Sequence, residues 1–330
     1  MQRDAISRRR ALGLLSGALA CPAAARSSVA PDPAGAAFGT QWRVAGPPGA
    51  AAAADLGPAL VALFAGIDAE LSPYRPDSAL SRFNASPAGG QAGAELLRVA
   101  RAALRIARLS GGAFDPTVGP LVARWGFGPI SGRASAGGPS PAEGWRGLGI
   151  NAGRLSKTHP DLTFDPCGIA KGRALDRATA LAAGLGLDRL LIDLGGELSA
   201  LGRHPSGRDW RVAVEHPLPG SPAAAVLHLP AGMAVATSGL GVQSYTLGGR
   251  VWSHVMDPAA AAPVQGRLRA VTVLAADAMT ADGWATALLA AGDDAGPELA
   301  RARDIAALFL YDDGARMQRV ETGGIGAVLT

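Results

Sequence analysis

The sequence predicts an α+β protein, and three observations carry that expectation. Four stretches place apolar residues at helical spacing: Ala59 to Leu71, Glu95 to Leu109, Arg173 to Leu185 and about Thr280 to Ala291. Short strand-like runs are scattered between and beyond them. The two kinds of element alternate without a regular βαβ rhythm, which argues against a doubly wound parallel sheet.

The elements follow in order. Residues 26–37 form a Pro/Ala/Gly linker, and FGTQWRVA (Phe38 to Ala45) is a first strand. The first two helices follow, and then residues 129–147, rich in Gly, Pro and Ser, form an irregular excursion. In the Arg173 helix, Ala174, Leu175, Ala178, Leu181, Ala182 and Leu185 share one side. RLLIDL (Arg189 to Leu194) is a buried strand that stops at Gly195-Gly196. Arg211 to Glu215, Ala224 to Leu229, Met233 to Ala236 and Arg269 to Ala275 are further strands. The last of these feeds the Thr280 helix, which ends at Gly292, and Ala306 to Tyr311 is a late strand. No internal repeat at solenoid spacing is present.

The bulk numbers bound the class. A chain of 330 residues, 48% hydrophobic and 18% charged, has the composition of a globular protein. Its formal charge of +4 is spread out and not interleaved with aromatics, so it carries no nucleic-acid footprint. The first 25 residues read as an export signal: Ser7-Arg8-Arg9-Arg10, an apolar run from Ala11 to Ala20, then small residues to Ala25. The paired arginines favour the twin-arginine route over an ordinary secretory signal, and the expected location is the periplasm or cell envelope. Cys21 follows Ala18-Leu19-Ala20, a loose lipoprotein box without its usual leucine, so lipidation at Cys21 and inner-membrane association are the less favoured reading. Cys167 is then alone in the mature body and is expected to be a small buried residue.

Three segments can carry chemistry. In AMTADGWATALL (Ala278 to Leu289), Asp282 and Thr286 lie one helical turn apart and offer hard oxygens of the kind Mg²⁺ accepts; taken alone, the pair reads more readily as a capping aspartate and a surface threonine. In DPCGIAKGRALD (Asp165 to Asp176), Gly168 and Gly172 bracket Lys171, one of only two lysines, just before a helix. That arrangement suits an anion, or simply a glycine-bounded turn. It matches neither the G-x-x-x-x-G-K-[ST] phosphate loop nor the dinucleotide fingerprint. In WSHVMDP (Trp252 to Pro258), His254 and Asp257 are close enough to share a site or a hydrogen bond, although a lone satisfied histidine is the commoner case.

The ordered set AFDPTVG, RWGFG, D-x-x-G-I-A-K-G, L-GGE, ATSG, SH-x-x-DP and A-M-x-A-D-x-x-A-T-A-L resembles the FAD:protein FMN transferase family, the ApbE family, from Phe38 to about Gly292. The resemblance implies a T-fold-like α+β architecture over residues 38–330, with two subdomains and FAD in the cleft between them. It implies Mg²⁺ held by Asp282, Thr286 and the main-chain carbonyl of Gly168. Flavin and adenosine contacts would map to Phe38 (a Met in many relatives), Tyr74, Ala113, Phe114, Asp115, Asp165, Lys171 and Met256. The catalytic set would be His254, Asp257 and Lys171, with His254 as the general base.

The implied reaction moves FMN from FAD onto a Thr or Ser hydroxyl of a target flavoprotein and releases AMP. The acceptor would be an envelope electron-transfer protein, such as a quinone-reductase-type subunit or a nitrous-oxide-respiration protein. Two alternatives remain beside it: an FAD pyrophosphatase giving FMN and AMP, and a non-catalytic flavin-binding protein of the envelope. The sequence departs from the family pattern at Pro166-Cys167 (usually Leu-Gly), at Leu240 to Gln243 and at Ala259 to Ala262. These departures bear on target recognition more than on the implied metal ligands.

Overall fold

The computed structural model describes residues 32–130, 144–218, 220–314 and 316–330, so the export-signal reading lies outside the described residues. Eight strands form the main sheet: β1 (Ala34–Ala37), β2 (Thr40–Ala45), β3 (Leu190–Leu194), β4 (Glu197–Leu201), β5 (Ala234–Gly239), β6 (Leu268–Ala275), β7 (Ala306–Asp312) and β8 (Met317–Thr322). They lie side by side in chain order, and every neighbouring pair is antiparallel. The sheet is a meander interrupted by long insertions. This is the mixed, non-alternating architecture that the element order predicts.

Two expectations at the N-terminal edge are corrected. The linker does not run to residue 37, because Ala34–Ala37 pairs with Thr40 to Arg43. Phe38 is not inside a strand but at the apex of the β1–β2 turn, where Phe38 and Gly39 both take positive φ, 53° and 75°. That is the two-residue turn whose twist suits a hairpin. Among other strands that the pattern did not announce are β4, β8, the exposed hairpin Ser244–Leu247/Arg250–Ser253 and a small sheet of Gly89–Gln91, Leu148–Asn151 and Arg154–Lys157.

Of the helices α1 (Leu56–Leu71), α2 (Ala94–Leu109), α3 (Ala170–Gly184) and α4 (Ala278–Ala291), α1, α3 and α4 cover one face of the sheet, and α2 packs behind them on α1 and α4. The opposite face is covered by the hairpin Trp210–Val214/Ala225–Leu229 and by Ile325. Strand β7 shows the consequence of burial on both sides. Ala307, Phe309 and Tyr311 join the helix-side core, while Leu308 and Leu310 join the other. The run AALFLY is therefore continuously apolar instead of alternating.

Helix α4 lies deepest, with ten of its residues from Ala278 to Ala290 buried. A helix apolar on nearly all sides belongs in a core, so a carboxylate on it needs a specific partner. Its small residues allow close approach: a Cβ added at Gly172 of α3 would lie 2.3 Å from the carbonyl oxygen of Ala278. Among the described residues no helix is long and apolar enough to cross a membrane.

Candidate active site

One end of the sheet collects the chemistry. The Phe38-Gly39 turn, the Gly195-Gly196 turn and the last residues of β5 meet there, because Trp42 pairs with Leu194 and Leu194 with Glu197 in register. The start of α3 and the middle of α4, from Asp282 to Thr286, lie over it. Asp282 is 4% exposed, and its Oδ2 accepts from the amide of Gly172 at 2.9 Å. That amide is one of the unpaired donors of the first turn of α3, so Asp282 caps a helix it does not belong to. This single bond leaves the other carboxylate oxygen for a further partner. Thr286, one turn on, donates from Oγ1 to the Gly168 carbonyl at 3.3 Å and lies 3.2 Å from Ser238 Oγ. A side chain at Gly168 would press on Thr286 and Phe114, with contacts at 2.9 and 3.1 Å.

Lys171 stands between two carboxylates. Its ammonium is bonded to Glu197 Oε1, and Glu197 is 2% exposed. Burial alone would lower the Lys171 pKa, but Asp282 and Glu197 outweigh it and the pKa is raised. Burial pushes Glu197 up to about 7 against the pull of Lys171. Burial also raises Asp282, again opposed by Lys171. Two acids thus share one lysine in a site of low dielectric.

Of the remaining expected residues, several brace loops. Asp115 accepts from Thr117 N at 2.9 Å and Thr117 Oγ1 at 2.6 Å. Asp165 accepts from Cys167 N at 2.9 Å, and its own amide donates to Pro116 O at 2.7 Å, tying the two loops together. Phe114 and Met256 are buried, and Ala113 is half-buried beside Phe114. Tyr74 is largely exposed, near enough to Cys167 and Asp165 for their charges to raise its pKa behind the larger effect of burial. Phe38 packs edge-on against Phe64, 5.6 Å between ring centres.

His254 and Asp257 do not meet as a pair. Asp257 Oδ1 accepts from the amides of Ala259 and Ala260 at 2.8 and 3.1 Å, closing a turn. His254 Nδ1 lies 3.2 Å from the Gln243 carbonyl, and Phe127 packs edge-on to the ring. Burial first, and then the Lys171 charge, hold its pKa below 6.5. Cys167 was expected to be buried and is instead exposed. It sits on a loop whose backbone is committed to Asp165. Glu197 and Ser238 received no role from the sequence, although the GGE and ATSG segments stood out, because nothing in the spacing shows that the first reaches Lys171 at the start of α3 and the second Thr286 in the middle of α4.

Among the described residues no three His, Cys, Asp or Glu side chains group as metal ligands. The set here is one carboxylate, one hydroxyl and one carbonyl. Such a set fits Mg²⁺, which takes few protein oxygens and keeps water or substrate phosphate for the rest.

An antiparallel sheet whose end carries this oxygen set, a paired lysine and a half-buried histidine defines a group-transfer enzyme acting on an anionic substrate. The ApbE family model matches residues 38–309, and the chain belongs to that family. It is 35% identical over 260 residues to the FAD:protein FMN transferase of Vibrio cholerae, covering 75% of this chain and 77% of that one. It is 33% identical over 294 residues to that of Escherichia coli, covering 85% and 84%. The solved flavin transferase ApbE of Vibrio cholerae superposes with a TM-score of 0.77 at 31% identity, covering 90% of this chain and 98% of that one. The flavinyl transferase ApbE of Pseudomonas stutzeri superposes with a TM-score of 0.78 at 33% identity, covering 89% and 95%.

Proposed function

We propose that this chain transfers FMN from FAD to a threonine or serine hydroxyl of a protein acceptor, with Mg²⁺, and releases AMP. The observation that carries the reading is the convergence of Asp282, Thr286 and the Gly168 carbonyl from two separate segments beside the paired Lys171. Those three groups would hold the metal, which when bound neutralises pyrophosphate charge and makes the phosphorus more electrophilic. Lys171, fixed by Glu197, adds a positive charge that need not reorganise as negative charge develops. The Phe38, Tyr74 and Phe114 side chains supply apolar surface for the flavin or adenine.

His254 holds and moves the proton. With Nδ1–H donating to the Gln243 carbonyl, Nε2 remains as the acceptor. It takes the proton of the acceptor hydroxyl as that oxygen bonds to the FMN phosphorus. The bond from this phosphorus to the bridging oxygen breaks, and AMP leaves with that oxygen. A base held neutral at pH 7 is suited to this task.

The test is to incubate the protein with FAD, Mg²⁺ and a candidate acceptor domain and to weigh the acceptor. A gain of one FMN, lost on chelation and in Asp282→Ala, supports the transferase. Free FMN and AMP without an adduct would make the chain a pyrophosphatase, and intact FAD with every acceptor tried would leave a binding protein. We also infer export by the twin-arginine route to the envelope, where the acceptor is an electron-transfer protein. Continued export after deletion of residues 1–25 would refute that inference.

A further inference from the structure

Glu197 is a buried acid whose one contact in the proposed reaction is with Lys171. It opens β4 directly after the Gly195-Gly196 turn, on the helix side of the sheet, and its register partner is Leu194. Its Oε1 is bonded to Lys171, while its Oε2 is buried with no hydrogen-bond partner among the described residues. A carboxylate kept in a core at that cost serves the one partner it has.

That partner has a second anion within reach. Lys171 precedes Gly172, whose amide is bonded to Asp282, so the lysine backbone lies beside the Asp282 carboxylate. Asp282 and Glu197 are the two carboxylates whose charge acts on Lys171, yet the ammonium is bonded to Glu197. A lysine stem has four flexible carbons and can turn its head group from one acid to the other. An ammonium seated on Asp282 would occupy the oxygen and cancel the charge that a divalent cation requires.

We propose that Glu197 is a positioning residue that holds the Lys171 ammonium away from Asp282 and so keeps Asp282 available to a divalent cation. The proposal rests on the metal reading of the preceding section and assigns the selectivity of that site to a residue that does not touch the metal. Turn and helix thereby divide the work: the β3–β4 turn supplies the acid that captures the lysine, and α4 supplies the acid that captures the metal.

The experiment is direct Mn²⁺ binding to the full chain without FAD, followed by electron paramagnetic resonance, for wild type, Asp282→Ala, Glu197→Gln, Lys171→Met and the double variant Glu197→Gln/Lys171→Met. Thermal melts establish that each variant is folded. Glu197→Gln is expected to weaken Mn²⁺ binding by roughly tenfold to a hundredfold, the range seen when a group supporting a metal ligand is removed. The double variant is expected to recover most of that loss, because the competing ammonium is gone, and Lys171→Met alone to bind at least as tightly as wild type. Wild-type affinity in Glu197→Gln, or a double variant as weak as Glu197→Gln, would overturn the proposal. So would weakened binding in folded Lys171→Met. Wild type that binds Mn²⁺ no better than Asp282→Ala is a different result: it removes the metal reading itself, and this inference with it.

Discussion

The amide of Gly172 donates to the carboxylate of Asp282 at 2.9 Å across 110 residues of sequence. The relation is reciprocated: Asp176 of α3 accepts from the amides of Ala278 and Met279 at the start of α4, at 2.7 and 3.2 Å. Two helices thus lie with their starting turns side by side, and each supplies the acid that satisfies the orphan donors of the other. The candidate metal ligand is part of this joint.

The joint depends on Gly172. Its absent side chain lets α3 approach α4 until a Cβ would meet the Ala278 carbonyl oxygen at 2.3 Å and Met279 Cα at 2.7 Å. Both obstacles are backbone. Gly172→Ala is expected to cost about 2 kcal/mol of stability or more, the range for overpacked cores, and to lose transferase activity as Asp282 is displaced. Urea denaturation and acceptor mass measure the two effects separately.

Asp176 makes the joint sensitive to pH. Burial raises its pKa from 3.8 to about 6. A carboxyl with a folded pKa above its unfolded value binds protons more tightly in the native state. Its favourable contribution is therefore complete below about pH 4 and is lost as pH rises through about 6. Relative to Asp176→Asn, the wild type should lose stability across that window, and denaturant midpoints at several pH values should show the two curves diverging. Parallel curves would exclude Asp176 as the source.

His254 predicts a kinetic signature. Its pKa lies below 6.5 because the half-buried ring is partly desolvated and Lys171 is near. A base must be unprotonated, so the acid limb of the rate profile should fall below pH 6.5, with a plateau through neutrality. His254→Ala should lower kcat by about a hundredfold, within the usual range for a general base, flatten that limb and leave FAD affinity unchanged. A limb that persists in the variant would assign it to another group.

The second lysine predicts a purely structural effect. Lys157 donates to three carbonyls, those of Asn84, Pro160 and Leu162, at 2.9, 3.2 and 2.9 Å. Lys157→Met leaves these oxygens without that donor and should cost about 3 kcal/mol, as buried acceptors do when they lose their partners. Activity per folded molecule should hold at low temperature, since Lys157 lies outside the candidate site.

Legibility differed by element. Strand β3 and helices α1 to α4 were readable because each buries a wide apolar face. Strand β4 was not, because Glu197 and Ser199 interrupt its pattern, and β8 was not, because it closes the sheet edge with Gln318, Arg319 and Glu321. The Phe38 turn was read as strand because a bulky aromatic with positive φ runs against propensity. In the site, Asp282 and Thr286 were legible as a pair one turn apart. The apparent His254–Asp257 pair was not a pair, because proximity in sequence did not prevent each from bonding to its own loop.

The sequence by itself determined the class of fold, the family and the residue types of the site. Apolar periodicity and ordered motifs are local, and a local pattern survives without knowledge of what packs on it. Only the tertiary structure decided which groups meet. It set Gly172 under Asp282, seated Lys171 on Glu197 and exposed Cys167. Those contacts join residues from separate segments and depend on how closely two helices and a turn approach. That distance is settled by the packing of small side chains in the core.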